Sequence, residues 1–359
     1  MLRLWRGSRP LAALARGFSV VPAQPTVDAA AKASSQSIYS QRIGPKWQKH
    51  GFRDTFPTEG FDRALQFLMG RGISHTKALR AISYHILIVS LSPELMQSKI
   101  TWLSKFGLSD EKINSIIVRA PSILGISLDK YEALVDWYLS HGVAKERQPY
   151  LFYVFPQGVS YSIKDNLDPK MTLLKDIGCD DGQITRILTT SAFIFRLSVD
   201  RMASNVEFLA KLGIPREQIP AVLAIAPQYL ALTPTRIQEA VDMLDEMFGE
   251  GVGVRTMMKS RVLLFNVDGL RKSFDYLVST VGLTPARLAK QVQLIGRSVD
   301  GILRPRVEFF KMIGVNDKEI RDNVKWVSIS NREFFTRYPA YKAYLAEYKA
   351  HQKEIAHQA

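Results

Sequence analysis

The chain has 359 residues, 46% of them apolar and 23% charged, with a net charge of +14. This is globular composition with enough apolar material for a large core, so disorder throughout is excluded. A single cysteine, Cys179, cannot close an intramolecular disulfide or build a thiolate metal cage, and no run approaches the ~18 consecutive apolar residues that span a bilayer.

The charge is uneven along the chain. Residues 1–56 hold nine Lys/Arg and two Asp/Glu, residues 57–250 hold 20 and 22, and residues 251–359 hold 19 and 10. The first acidic residue is Asp28, preceded by Arg3, Arg6, Arg9 and Arg16 among Leu2, Leu4, Trp5, Leu11 and Leu14. An Arg-rich, acid-free amphipathic start predicts an organelle transit peptide over residues 1–18. The run Arg16-Gly17-Phe18-Ser19 resembles a matrix-presequence cleavage site, which points to the mitochondrial matrix, with the chloroplast as second choice. Residues 19–56 lack helical periodicity and read as a flexible arm.

From residue 57 to 335 a tandem repeat dominates. Gly107, Gly142, Gly178 and Gly213 recur at intervals of 35 or 36, with relatives at Gly72, Gly249 or Gly251, Gly282 and Gly314. A second landmark, Ser127, Ser162, Ser198, Thr233, Asn266 or Ser298, precedes its glycine by 15 or 16 residues. Ser127, Ser198, Asn266 and Ser298 are followed two places on by Asp, and Ser92 and Thr233 directly by Pro, so each predicts the start of a helix A. The glycine ends helix A, because a C-cap with positive φ costs little only for Gly. Ser109-Asp110-Glu111, Thr284-Pro285 and Asn316 with Glu319 as a capping box then start a helix B.

Helix A carries apolar residues at helical spacing, as in Val307, Phe310 and Ile313, and helix B carries Ile113, Ile116 and Ile117 or Ile184, Ile187 and Leu188. A turn such as Ala120-Pro121-Ser122-Ile123-Leu124 closes the unit. No β alternation competes. The expected architecture is all-α: a curved solenoid of about eight helical pairs with one concave face, followed by a cap or tail over residues 336–359, where Tyr338, Tyr341, Tyr344 and Tyr348 stand among basic residues.

The order of proline-closed helix, short apolar turn and Ser-x-Asp in Arg119–Asp129, with the segment Arg297–Gly314 that contains Arg-Pro-Arg-Val-Glu-Phe, resembles the mitochondrial transcription termination factor (mTERF) family. Ser191-Ala192 and Ser260-Arg261 depart from the Ala-Pro form. The resemblance implies a left-handed solenoid whose repeats close in 3₁₀ turns and whose basic concave side holds duplex nucleic acid. It also implies organelle gene expression: transcription termination or regulation on DNA, or intron splicing or ribosome assembly on RNA.

Phosphate binding calls for Lys or Arg at matching places in successive repeats. By that criterion and the resemblance, Arg119, Lys290 and Arg297 are the first candidates, flanked by Lys259 and Arg261, with Arg196, Arg304, Arg306 and Lys325 in nearby phase. Tyr161 and Tyr229 stand in turns, where helix-joint packing is the expected role. The six histidines make no HExxH, Gly249-Glu250-Gly251-Val252-Gly253 lacks the flanks of a phosphate loop, and Cys179-Asp180-Asp181-Gly182 reads as a helix start. The expectation is a noncatalytic monomer without cofactor or metal, binding duplex DNA or structured RNA and possessing at most an organellar protein partner. A protein-interaction scaffold is the rival reading, favoured by the near-neutral middle of the chain.

Overall fold

The computed structural model describes residues 58–358, so the leader and arm lie outside the described residues. The described residues form eight helical pairs in succession. Repeat 1 pairs α1 (Thr58–Gly70) with α2 (His75–Tyr84), and repeat 2 pairs α3 (Pro93–Lys105) with α4 (Asp110–Arg119). Repeats 3 and 4 are α5 (Leu128–Ser140) with α6 (Gln148–Val154) and α7 (Asp168–Asp176) with α8 (Asp181–Ser191). Repeats 5 and 6 are α9 (Val199–Lys211) with α10 (Ile219–Ile225) and α11 (Pro234–Phe248) with α12 (Val252–Met257). Repeats 7 and 8 are α13 (Val267–Ser279) with α14 (Pro285–Ala289) and α15 (Arg304–Met312) with α16 (Asp317–Asp322).

Seven repeats close in a 3₁₀ turn, for example Pro121–Gly125, Pro156–Ser160 and Pro227–Leu230; the eighth closes in the short helix α17 (Lys325–Ser328). Proline is not required for this closure: the repeats at Ser191-Ala192 and Ser260-Arg261 still close in 3₁₀ turns, Ala192–Arg196 and Val262–Leu264, as do the first and seventh, Ile86–Ser90 and Val292–Gly296. Helix A packs on helix A (α1 on α3, α7 on α9, α11 on α13), helix B on helix B (α2 on α4, α4 on α6, α8 on α10), and turn on turn. The core is therefore a continuous strip along the array, from Phe61 to Leu345, rather than one central cluster.

The sequence landmarks do the work their chemistry predicts. Gly107 has φ +101° and Gly314 φ +83°, values that an L side chain rarely adopts. The bonds from Leu108 N–H to Leu103 carbonyl and from Val315 N–H to Phe310 carbonyl complete the six-residue cap expected of a glycine stop. Ser92, Ser198, Thr233, Asn266 and Ser298 each accept a bond from the backbone N–H three residues on. Asp180 forms a full capping box with Gln183, whereas Asn316 accepts only the Glu319 N–H half of the box expected there. Ser127 stands at its N-cap without a side-chain bond.

A device not visible in the repeat landmarks holds four of the units shut. Lys99, Lys170, Asn205, Ser273 and Arg306 are buried polar residues, and all occupy one slot of helix A, seven or eight residues after the N-cap. Four of them donate to carbonyls around the turn that closes their own repeat: Lys170 Nζ to Phe195 (2.6 Å), Asn205 Nδ2 to Leu230 (2.7 Å), Ser273 Oγ to Arg297, and Arg306 to Trp326 and Ile329. A short 3₁₀ turn leaves carbonyls unpaired inside the joint, and leaving such a group without a partner costs about 1–3 kcal/mol. The buried donor removes that cost.

The slot sits at seven residues in most repeats and at eight in repeats 4 and 8. The extra residue is absorbed by π turns, Ile163–Leu167 and Val299–Leu303, closed by bonds from Leu167 N–H to Ser162 carbonyl and from Leu303 N–H to Ser298 carbonyl. Pro169 and Pro305 stand two residues after the last residue of each π turn and cannot donate the bond that would restore α-helical register there.

At the far end, α18 (Asn331–Arg337) and α19 (Tyr341–Gln358) follow the last pair, and α19 packs on α15. Phe309 meets the rings of Tyr341 and Tyr344 at 5.1 and 5.5 Å, and Phe334 meets Tyr341 at 4.5 Å, so the apolar end of the array is covered by aromatic packing.

Candidate nucleic-acid interface

The nine sequence candidates separate into three environments. Lys259, Arg261, Lys290 and Lys325 stand exposed where helix B meets its closing turn in repeats 6, 7 and 8. The turn Val262–Leu264 packs on the turn Val292–Gly296, which packs on α17, so these cations fall in register across three neighbouring units. Among the described residues none of the four is in an ion pair. Arg261 Nε donates to the Ile225 carbonyl at the end of the preceding helix B, and half-buried Arg297 donates to the Ser328 carbonyl of the next repeat. Both guanidiniums thus favour helix-end carbonyls, where cations are stabilised by the helix dipole, and keep further N–H groups for a ligand.

Arg119 and Arg196 are exposed but apart from that row. Arg119 caps the end of α4, donates to the Tyr153 carbonyl at 2.6 Å and lies 4.8 Å from the Tyr153 ring centroid. Arg196 lies beside Phe193 in the fourth closing turn. The equivalent places at the ends of the B helices between them hold Val154, Thr190 and Ile225, so no continuous basic stripe runs the length of the array.

Two candidates are corrected. Arg306 is fully buried: its guanidinium bonds the Trp326 and Ile329 carbonyls and Asn331 Oδ1 and lies 4.3 Å from the Phe334 ring centroid. Burial pulls its pKa down from the ordinary guanidinium value, opposed by Tyr341. It holds the eighth joint and reaches no ligand. Arg304 lies at the start of α15, paired with Asp300 at 3.2 Å and placed 5.3 Å from the Tyr276 ring centroid, on the helix-A side where α19 packs. Its charge is already answered by a carboxylate.

Tyr229 is fully buried in its turn, and Tyr161 is half-buried against Phe155 at 5.7 Å, so both pack joints. Sequence reasoning missed Arg287, whose two terminal nitrogens donate to the Arg321 and Asp322 carbonyls, joining the B helices of repeats 7 and 8. Arg287 sits three residues before Lys290, which caps the same short helix, and that spacing is the signal that could have found it.

The sequence model of the mTERF family matches residues 56–190 and 156–335, together most of the chain. The chain belongs to the mTERF family. Among curated mTERF relatives it is 24% identical over 206 residues to the chloroplastic transcription termination factor MTERF8 of Arabidopsis thaliana, covering 56% of this chain and 41% of that protein. It is 18% identical over 251 residues to the mitochondrial transcription termination factor MTERF15 of the same plant, covering 68% and 55%. It is 23% identical over 258 residues to the mitochondrial transcription termination factor 3 of Drosophila melanogaster, covering 65% and 73%. The match thus spans about half the length of the two Arabidopsis mTERF proteins.

Within the mTERF array, no group of metal-ligating side chains occurs among the described residues, and none of their helices is long and apolar enough to cross a membrane. Cys179 is buried in the turn before α8, and burial with the neighbouring Asp180 carboxylate pushes its thiol up to about 11. The thiolate is the reacting species. Native protein at pH 8 is therefore expected to resist maleimide or iodoacetamide, with full labelling only after denaturation; rapid labelling of the folded chain would contradict this burial.

Proposed function

We propose that this mTERF chain acts in organelle gene expression by holding double-stranded nucleic acid, with DNA favoured, along the helix-B ends of its last three repeats, and so terminates or regulates transcription. The supporting observation is the row of exposed cations Lys259, Arg261, Lys290 and Lys325, in no ion pair among the described residues and carried by stacked closing turns. The three relatives named above are transcription termination factors of mitochondria or chloroplasts, which supports action in an organelle, and the Arg-rich, acid-free leader favours the mitochondrial matrix. Cations on rigid helix ends fix phosphate positions but carry no base sequence. The proposed role is noncatalytic: the array grips the duplex and obstructs or recruits other factors.

Each phosphate neutralised on B-form DNA contributes about −0.9 to the slope of log affinity against log salt. If the four cations and Arg297 engage, the full chain should give a slope of about −4 to −5 on a 20-bp duplex. A slope shallower than about −2 contradicts the proposal. Equal affinity for A-form RNA and B-form DNA at fixed salt would shift the reading to structured RNA, which is gripped through phosphates and 2′-hydroxyls.

A further inference from the structure

The first three repeats carry a net charge of only +2 over residues 58–160, with 11 basic and 9 acidic residues, but their charge is segregated by helix. Their A helices, α1, α3 and α5, hold four basic and six acidic residues. The B-helix segments 71–84, 110–119 and 145–154 hold seven basic and three acidic, and one of those acids, Asp110, is already paired with Arg71 at 2.8 Å. Among the described residues, Lys77, Arg80, Lys112, Arg119 and Arg147 are in no ion pair.

Aromatic rings interleave with these cations. Tyr84, at the end of α2, is 76% exposed, and Tyr150, on α6, is 44% exposed. Half-buried Tyr153 takes Arg119 at 4.8 Å and Lys112 at 5.9 Å from its centroid, and Arg147 lies 5.4 Å from the centroid of Tyr150. The helices α2, α4 and α6 pack side by side, so Tyr84, Arg119 and Tyr153 come from successive units at the same end of the B layer. A groove of about 380 Å³ runs between α2 and α4, lined by Lys77, Asn114, Ser115 and Arg119, with the Glu111 carboxylate also on its wall.

We infer that this surface binds single-stranded nucleic acid, with bases stacking on Tyr84, Tyr150 and Tyr153 and phosphates following Lys77, Lys112 and Arg119. Tyr84 and Tyr150 present exposed ring surface, and half-buried Tyr153 carries Arg119 and Lys112 beside its ring. A duplex offers these rings no stacking partner, because its bases are stacked on one another, whereas an unpaired strand presents a π-face at every nucleotide and a charge at every phosphate. Alternation of rings and cations across adjacent helices matches that ligand and exceeds what phosphate binding alone needs. The inference goes beyond the duplex reading and does not depend on it, since it uses the opposite end of the array.

The test measures fluorescence anisotropy of the full chain with labelled dT12, labelled U12 and a 20-bp DNA duplex. The triple variant Tyr84→Ala/Tyr150→Ala/Tyr153→Ala should lose at least about tenfold in affinity for dT12 and U12, given stacking energies per base, and less than about twofold for the duplex. The triple Phe variant keeps the rings and should bind both single strands within about twofold of the parent. Unchanged melting temperatures keep misfolding out of the comparison. No binding of either single strand by the parent, an unchanged affinity in the Ala variant, equal losses in the Ala and Phe variants, or equal losses for single strand and duplex would each overturn the inference. Single-strand binding that survives while the parent fails to hold the duplex would sink the proposed function and leave this inference standing.

Discussion

Arg306→Glu is expected to destabilise the folded array by more than about 4 kcal/mol and to unfold its last repeat, although Arg306 lies in the most basic third of the chain. The guanidinium is fully buried and donates to the Trp326 and Ile329 carbonyls and to Asn331 Oδ1. Glu removes these donors, strands acceptors at about 1–3 kcal/mol each, and places a buried carboxylate against carbonyl oxygens that cannot donate to it. Arg306→Met keeps much of the bulk without the donors and should cost less. Thermal melts measure the total, and hydrogen exchange should show residues 299–345 losing protection first. Full protection of that segment in Arg306→Glu would refute the role given to this side chain.

The second large effect is on binding. Reversing Lys259, Lys290 and Lys325 to Glu should weaken duplex affinity by about 100-fold or more near 0.1 M salt, because each change removes a phosphate partner and adds repulsion. The three side chains are exposed and make no ion pair among the described residues, so melting should change little. Arg261 is left out of this variant because its bond to the Ile225 carbonyl also joins repeats 5 and 6. The pairing of outcomes separates two classes of basic residue that composition cannot tell apart: Arg306 carries stability, and the three lysines carry affinity. Retained affinity in the triple variant would favour the scaffold reading.

The repeat was legible because its punctuation is local chemistry. A glycine forced to positive φ at 107, 142, 178, 213 and 314, and a hydroxyl or amide side chain at the N-cap, act through backbone bonds within six residues and need no tertiary information. Their alternation fixed helix A, helix B and the number of units.

The inward turn of Arg306 was not read, although its signal exists. Arg306 lies three residues after Leu303 and four before Phe310, on the buried stripe, and it fills the slot of Lys170, Asn205 and Ser273. The π turn ahead of Pro305 moves that slot by one residue, which hides the alignment when positions are counted from Ser298. Arg304 was misplaced for a similar reason: closeness in repeat phase does not say which helix layer a side chain joins, and Arg304 belongs to helix A.

Charge summed over long blocks hid the basic B layer of repeats 1–3, because acidic A helices such as α5 cancel it in the count. Summing by alternate helices, once the repeat is known, would have exposed it.

The central claim is that nucleic acid lies along the closing turns of repeats 6–8. Photo-crosslinking of the full chain to a duplex carrying 5-iodouracil, followed by mass spectrometry of the adducts, tests that claim most directly. The account predicts adducts within residues 255–264, 285–297 and 321–329, lost on reversal of Lys259, Lys290 and Lys325. Adducts confined to the helix-A surfaces of α11, α13 and α15, or unchanged by that reversal, would contradict it.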